Sequence, residues 1–326
     1  MRKPLVTRKF VAALAVAMLT LGAPTTPVQA ANTFSSTAAF IASKFVDGKY
    51  IEGFTPGKPD WGFSVEGLLQ LKGAGYTSSS LAKAIAFNLT SLTNLGTASN
   101  PVGFLYAPDK ALLVGRAGQH LFACKVFALT ATPACKSTLA SLKNAVAKNG
   151  VIARDAGNTF NYSWATLGLV ANGEITLASA NATRLASLAR ADGGYGTDLT
   201  ADTATSAPDA TGIALMAYAS VKVVGTSAQL AARKAAVIAA VKWLKKNVIA
   251  DHFESWGDID VNGTAYAGMG LSSYSVTTIA YAKYLASRIA PDGGITTPWS
   301  TSGDTYATVQ GYLALRSMSY LDLIKK

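Results

Sequence analysis

The sequence predicts an all-α protein in which six helix pairs close into two concentric rings. Three observations predict it. An Asn or Asp that opens an apolar run recurs about every fifty residues. A helix-stopping Asp, Asn and Gly turn stands ahead of most of these runs, and an amphipathic stretch with Lys or Arg stands ahead of the turns.

In chain order, the first element is one to set aside. Arg2, Lys3, Arg8 and Lys9 precede an apolar run from Val11 to Leu21, and Val28-Gln29-Ala30 offers a small-x-small cleavage site. That order reads as a secretory signal peptide over residues 1–30, leaving a single domain of six repeats over 31–326 in an extracellular or cell-envelope protein. The apolar run is too short to span a bilayer, and no later stretch looks like an anchor. Removing it lowers the formal charge from +11 to +7. The remaining Lys and Arg are scattered, without the basic stripe and interleaved aromatics that nucleic-acid binding requires, so no nucleic-acid partner is expected.

The runs begin at Asp60 (DWGFSVEGLLQL), Asp109 (DKALLVG), Asn161 (NYSWATLGLV), Asp209 (DATGIALMAY), Asn262 (NGTAYAGMGL) and Asp304 (DTYATVQGYLAL). Their gaps are 49, 52, 48, 53 and 42 residues, which fill the chain and leave no room for a second domain. The Asx side chain is placed to cap an unpaired amide of the first turn, and the residues after it are apolar or small nearly all round, as in a helix buried on several sides. Seven positions into three copies stand Gly67, Gly168 and Gly311. Glycine there costs about 1 kcal/mol of helix propensity, so close helix packing is the expected return. The turns are Asp47-Gly48, Asn149-Gly150, Asp192-Gly193-Gly194, Asp251-His252 and Asp292-Gly293-Gly294. Amphipathic runs at 139–148, 182–190, 230–246 and 277–288 precede four of them. The unit is thus an outer helix, a turn, a loop and a buried inner helix.

Cys124 and Cys135 are the only cysteines. In an oxidising compartment two cysteines eleven apart are expected to pair. The rival reading, a reactive or metal-bound thiol, lacks a nearby set of His and Asp partners. His120 lies one helical turn before Cys124, but one His and one Cys do not make a zinc site, so neither a metal nor a cofactor is expected.

DGGYG followed by APDATGIALMAY, and PDGGITTPW followed by GDTYATVQGYLAL, resemble the repeats of the prenyltransferase and squalene-cyclase superfamily. The likeness runs along essentially the whole chain after residue 30 and is closest to small exported bacterial members without an assigned function. It implies an (α/α)6 toroid with inner-helix N-termini crowding one mouth of an aromatic-lined cavity. Terpenoid cyclases of this kind use an acidic DxDD motif. The counterpart here, Asp258-Ile259-Asp260-Val261-Asn262, lacks one or two of its acids in either register, and an amide cannot act as the general acid. Prenyltransferases use an Asp, Cys and His zinc site, for which only His120 and His252 are available. The cobalamin carriers add a second β-domain, for which no sequence remains.

The Asx residues explain themselves as caps, yet five or six polar groups on one rim also suit a sugar or polyol. Asp60, Asp209 and Asp304 are the candidates for both roles. Trp61, Tyr162, Trp164, Trp256, Tyr266, Trp299 and Tyr306 add aromatic faces with polar handles, suited to saccharide or isoprenoid surfaces. The competing reading has such rings plug the centre, most of all Trp164 and Tyr266. Glu66 is the one acid well inside an inner helix, so it faces the cavity or meets a basic partner such as Arg116. With Asp60 it could form the acid and base pair of glycoside or lyase chemistry, and Asp258 and Asp260 are the other candidate catalytic carboxyls. The expectation is a monomeric toroid, non-catalytic or catalytically degenerate, holding a hydrophobic, isoprenoid-like ligand or a cell-envelope glycan in its central cavity. The alternatives are a carboxylate enzyme of terpenoid-cyclase or polysaccharide-cleaving type, and a cobalamin-carrier-like or protein-interaction module.

Overall fold

The computed structural model describes residues 27–97, 99–100, 103–153, 157–199, 205–255 and 257–325. The helices in chain order are α1 (Pro27–Ser43), α2 (Trp61–Gly73), α3 (Ser79–Ile85), α4 (Leu92–Leu95), α5 (Val114–Val126), α6 (Pro133–Ala145), α7 (Thr159–Ala171), α8 (Ile175–Ala186), α9 (Pro208–Ser220), α10 (Ser227–Asn247), α11 (Val261–Ser272), α12 (Ile279–Ser287) and α13 (Thr305–Leu315). Helices α2, α5, α7, α9, α11 and α13 touch in that order, and α13 closes back on α2. Around them α1, α3, α6, α8, α10 and α12 form the outer ring, each against one or two inner helices. Residues 1–26, most of the expected leader, lie outside the described residues, and α1 runs through the expected cleavage site at Val28-Gln29-Ala30.

Helix starts differ from the expected ones in register, for a physical reason. Asp60 and Asp304 are N-caps, accepting from the Phe63 and Ala307 amides at 3.0 and 2.7 Å. In α7 and α11, however, the caps are Asn158 and Asp260, three and two residues ahead of Asn161 and Asn262. In α9, Asp209 sits inside the first turn behind Pro208, whose fixed φ favours the first helical position. Asp109 opens no helix. It belongs to a turn whose Lys110 has φ +69°, the second unit's equivalent of Gly48, Gly150, Gly193 and Gly293, while α5 begins at Val114.

The turns are keyed to the inner helices by a hydroxyl. Ser64, Thr211, Thr264 and Thr308 accept the backbone N–H of Ile51, Tyr195, Phe253 and Ile295 at 2.8–3.0 Å, so each loop strand is registered on the helix that follows it. Glycine allows the closest helix contacts. A Cβ on Gly118 would stand 2.2 Å from the Trp164 carbonyl, and one on Gly168 would stand 2.4 Å from that of Gly118. Gly212 meets the Tyr266 carbonyl in the same way, at 2.2 Å. The expected close helix packing therefore holds for Gly168. Gly67 and Gly311 instead make room for the loop side chains Ile51 and Ile295. Cys124 and Cys135 form a disulfide that ties α5 to α6. No helix among the described residues is long and apolar enough to cross a membrane.

Candidate functional site

The inner helices are parallel in sequence sense, so their N-termini share one mouth. The register of the caps decides what faces the axis. Six residues past each N-cap stand Glu66, Gln119, Trp164, Ile213, Tyr266 and Gln310. Four of them are bonded together across the ring. Glu66 Oε1 accepts from the Tyr266 hydroxyl at 2.7 Å and from Gln119 Nε2 at 3.3 Å, and its Oε2 accepts from Gln310 Nε2 at 3.1 Å. Burial pushes the Glu66 carboxyl up to about 7, against the opposing pull of the Tyr266 and Gln310 bonds. Arg116 is not its partner: that guanidinium lies over the Phe104 ring and donates to the Phe104 carbonyl.

Beyond this layer the centre is filled. Tyr320, from the short 3-10 turn Tyr320–Leu323 after α13, is fully buried against Phe122, Trp164 and Tyr266, with ring centroids 5.1–6.4 Å apart. Its hydroxyl accepts from Gln70 Nε2 at 3.3 Å. Tyr162, Trp164 and Tyr266 are therefore enclosed side chains, not faces presented at the mouth.

The open volume lies off the axis. A groove of about 980 Å³ runs over the starts of α9 and α11, bounded by the loop strands Phe253–Ser255 and Asp258–Asp260 and by the loop carrying Trp299. Its walls are aromatic. Trp299 is 74% exposed at the lip, whereas Trp243 is buried and its Nε1 donates to Asp192 at 2.9 Å, which fixes the ring. Between them lie Asp198, Asp209, Glu254, Asp260 and Asn262 with Thr and Ser hydroxyls. Burial raises the Asp209 carboxyl to about 6, with the nearby Asp260 charge adding to the rise and a bond from the Ala210 amide opposing it. Asp260 has both oxygens in use, Oδ1 on the Gly263 amide and Oδ2 on the Ser255 hydroxyl, each at 2.6 Å. Asn262 donates to Gln310, so the groove is joined through one amide pair to Glu66.

The other candidates disperse. Asp258 accepts its own neighbour's amide and stands outside the groove lining. Trp61 stacks on Phe87 at 5.4 Å, away from the groove. Tyr306 stacks on the exposed Phe54 at 4.9 Å and meets Phe63 edge-on, a separate aromatic patch beside Asp60 and Asp304. Trp256 lies outside the described residues. His120 comes together with Cys124 and Cys135, but the sulfurs are oxidised. Burial holds the His120 imidazole down near 4, and its Nε2 donates to the Leu89 carbonyl at 2.9 Å. Sequence reasoning missed Asp198, Glu254 and Trp243 in the groove, and Gln119, Gln310 and Tyr320 in the centre. Correct caps would have brought Glu66, Gln119, Tyr266 and Gln310 into one register.

Neither a family model nor a curated protein matches the chain. Solved structures do. An unsaturated glucuronyl hydrolase from Bacillus sp. GL1, responsible for glycosaminoglycan degradation, superposes with TM-score 0.56 at 13% identity over 88% of this chain and 95% of its own. An inactive variant of the α-1,6-mannanase of Salegentibacter sp. HEL1_6, in complex with an α-1,6-linked mannose tetrasaccharide, gives 0.62 at 9% over 90% and 99%. The type II terpene cyclase MstE from Scytonema gives 0.61 at 14% over 89% and 99%. The fold is the α/α toroid. At these identities the likeness of the toroid to its neighbours is one of fold, as the repeats at 192–218 and 291–315 implied.

Proposed function

We propose that the protein is exported and holds a saccharide in the groove over α9 and α11. The observation that carries this reading is the groove itself: Trp299 exposed at the lip, Trp243 fixed in the wall, and a row of hydroxyls, amides and carboxylates between them. An aromatic face takes the C–H face of a sugar ring while polar groups at its edge take the hydroxyls. The structural neighbours that act on or hold saccharides agree with this reading. An isoprenoid in the ring centre would have to displace Tyr320 and break its bond with Gln70, so the saccharide is favoured over the apolar ligand. Export rests on the basic and apolar leader pattern together with the disulfide.

Binding is favoured over cleavage because hydrolysis of a glycosidic bond asks for two carboxyls free to work on it. Of the candidate catalytic carboxyls, Glu66 is enclosed, Asp258 lies aside and Asp260 is committed to its cap, so none of the three is free in the groove. Calorimetric titration with a panel of oligosaccharides tests the reading. At least one binds, and Trp299→Ala weakens it about tenfold or more while leaving the melting temperature unchanged, since the side chain is exposed. Absence of binding across the panel, or full affinity in the Trp299 variant, overturns it.

A further inference from the structure

The ring centre and the groove are joined by one side chain. Gln310 on α13 uses both ends of its carboxamide: Nε2 donates to Glu66 Oε2 at 3.1 Å, and Oε1 accepts from Asn262 Nδ2. Asn262 stands in the first turn of α11 and lines the groove. Among the described residues neither amide makes another side-chain hydrogen bond, so both can turn about their last torsion without moving the backbone. An amide carries its donor at one end and its acceptor at the other, so the end it shows to one neighbour fixes the end it shows to the next. The carboxyl and the two amides therefore have to agree on a direction.

The direction present is the one an ionised Glu66 demands. Its Oε1 already accepts from two donors, the Tyr266 hydroxyl of α11 and Gln119 Nε2 of α5. Gln119 Nε2 is held as well by the Gly62 carbonyl at 3.3 Å, which prevents that amide from turning round. Oε2 accepts from Gln310 alone. A proton taken up from solvent thus goes to Oε2, where the new O–H faces an N–H. The conflict is relieved when the Gln310 carboxamide turns over, so that its Oε1 accepts from Glu66 and its Nε2 faces Asn262. Asn262 then turns over in its place, accepting on Oδ1 and releasing Nδ2 to the groove. Burial, opposed by the Tyr266 and Gln310 bonds and helped by the Asp60 charge at the head of α2, holds the Glu66 carboxyl at about 7, so both directions are populated near neutral pH. The other titratable groups facing Glu66 are the Tyr266 and Tyr320 phenols, which burial keeps protonated throughout that range, while Arg116 lies over Phe104.

We propose that Gln310 is a two-position relay that turns Asn262 over in the groove according to the protonation of Glu66. The groove is shown the Asn262 carbonyl oxygen when Glu66 is ionised and the Asn262 amino group when Glu66 holds a proton. A ligand there meets an acceptor in one state and a donor in the other, and by reciprocity a ligand that fixes Asn262 also shifts the proton on Glu66. The relay stands on the bonded chain and does not require the groove's ligand to be a saccharide. The test is a series of nitrogen–proton correlation spectra of the side-chain amides of the purified protein, from about pH 5 to about pH 8.5. The two amides are assigned by their loss in Asn262→Ser and Gln310→Met. Both are expected to shift together, with a midpoint near 7. In Glu66→Gln the new amide keeps its oxygen on Tyr266 and Gln119 and donates to Gln310 at every pH. Its Asn262 and Gln310 signals should therefore stay where the wild type places them at about pH 5, save for a small step near 6 from Asp209 in the groove, which Asp209→Asn removes. In Gln310→Met the Asn262 shift near 7 should vanish, while the Glu66 carboxyl, followed by its carbon signal, still titrates. An Asn262 signal that ignores the titration of Glu66, or that keeps its midpoint in Gln310→Met, overturns the relay. Still amides with moving Tyr266 ring signals place the proton on Oε1 and overturn it as well.

Discussion

Replacing Glu66 by Gln makes the ring centre neutral at every pH, and its effect on stability can be worked out from the structure. In the folded protein the carboxyl is fully enclosed and raised from 4.5 to about 7, mainly by burial. A rise of that size corresponds to about 3 kcal/mol between the protonated and ionised forms. Because the native state holds this proton more tightly than the unfolded chain does, the contribution is present in full below 4.5 and is lost as pH rises through 7. The variant has no such dependence. Any mismatch of the new amide with Gln310 or Gln119 is the same at every pH and cancels in the comparison. The stability of the wild type relative to Glu66→Gln should therefore fall by about 2.5 kcal/mol between pH 5 and pH 8, measured by urea unfolding of both proteins at each pH. A difference level to within about 0.5 kcal/mol would refute a buried, proton-holding Glu66.

Two further results follow from packing and cross-linking. Gly118→Ala drives a Cβ onto the Trp164 backbone and should cost about 3 kcal/mol, whereas Gly311→Ala meets only the end of the Ile295 side chain and should cost about 1 kcal/mol; equal costs in urea unfolding would contradict the close α5–α7 contact. Replacing Cys124 and Cys135 together by Ser opens an eleven-residue loop and should lower stability by about 3 kcal/mol, with a shift of the urea midpoint as the readout.

The architecture was legible because it repeats. Apolar inner helices, glycine turns and basic outer helices recur at a spacing that only a closed ring uses up, and α10 and α12 lie within a few residues of their expected bounds. The site was less legible, for a reason of register. Taking Asn161, Asp209 and Asn262 as caps set three copies late, so Tyr266 fell out of line with Glu66 and Gln310, although all three stand six residues after their true caps. An Asx in the first turn and an Asx at the cap look alike in sequence, and in three copies the hydroxyl four residues past the cap, as in Asp60–Ser64, Asp260–Thr264 and Asp304–Thr308, marks the true cap, a sign that α7 with its Asn158 cap lacks. The groove was hidden for a different reason. Asp198, Trp243 and Glu254 come from a loop, an outer helix and a turn strand, and no periodicity joins such positions before the chain has folded. Tyr320 was missed because the filling of the ring comes from the segment after the last repeat.

The central claim is that the ring is filled by its own side chains and that the ligand lies off the axis, in the groove over α9 and α11. A crystal structure of the protein soaked with an oligosaccharide that binds in the calorimetric panel tests it most directly. The account predicts sugar density against Trp299 and Trp243, with Tyr320 still among Phe122, Trp164 and Tyr266. Sugar density in the ring centre with Tyr320 displaced would contradict it.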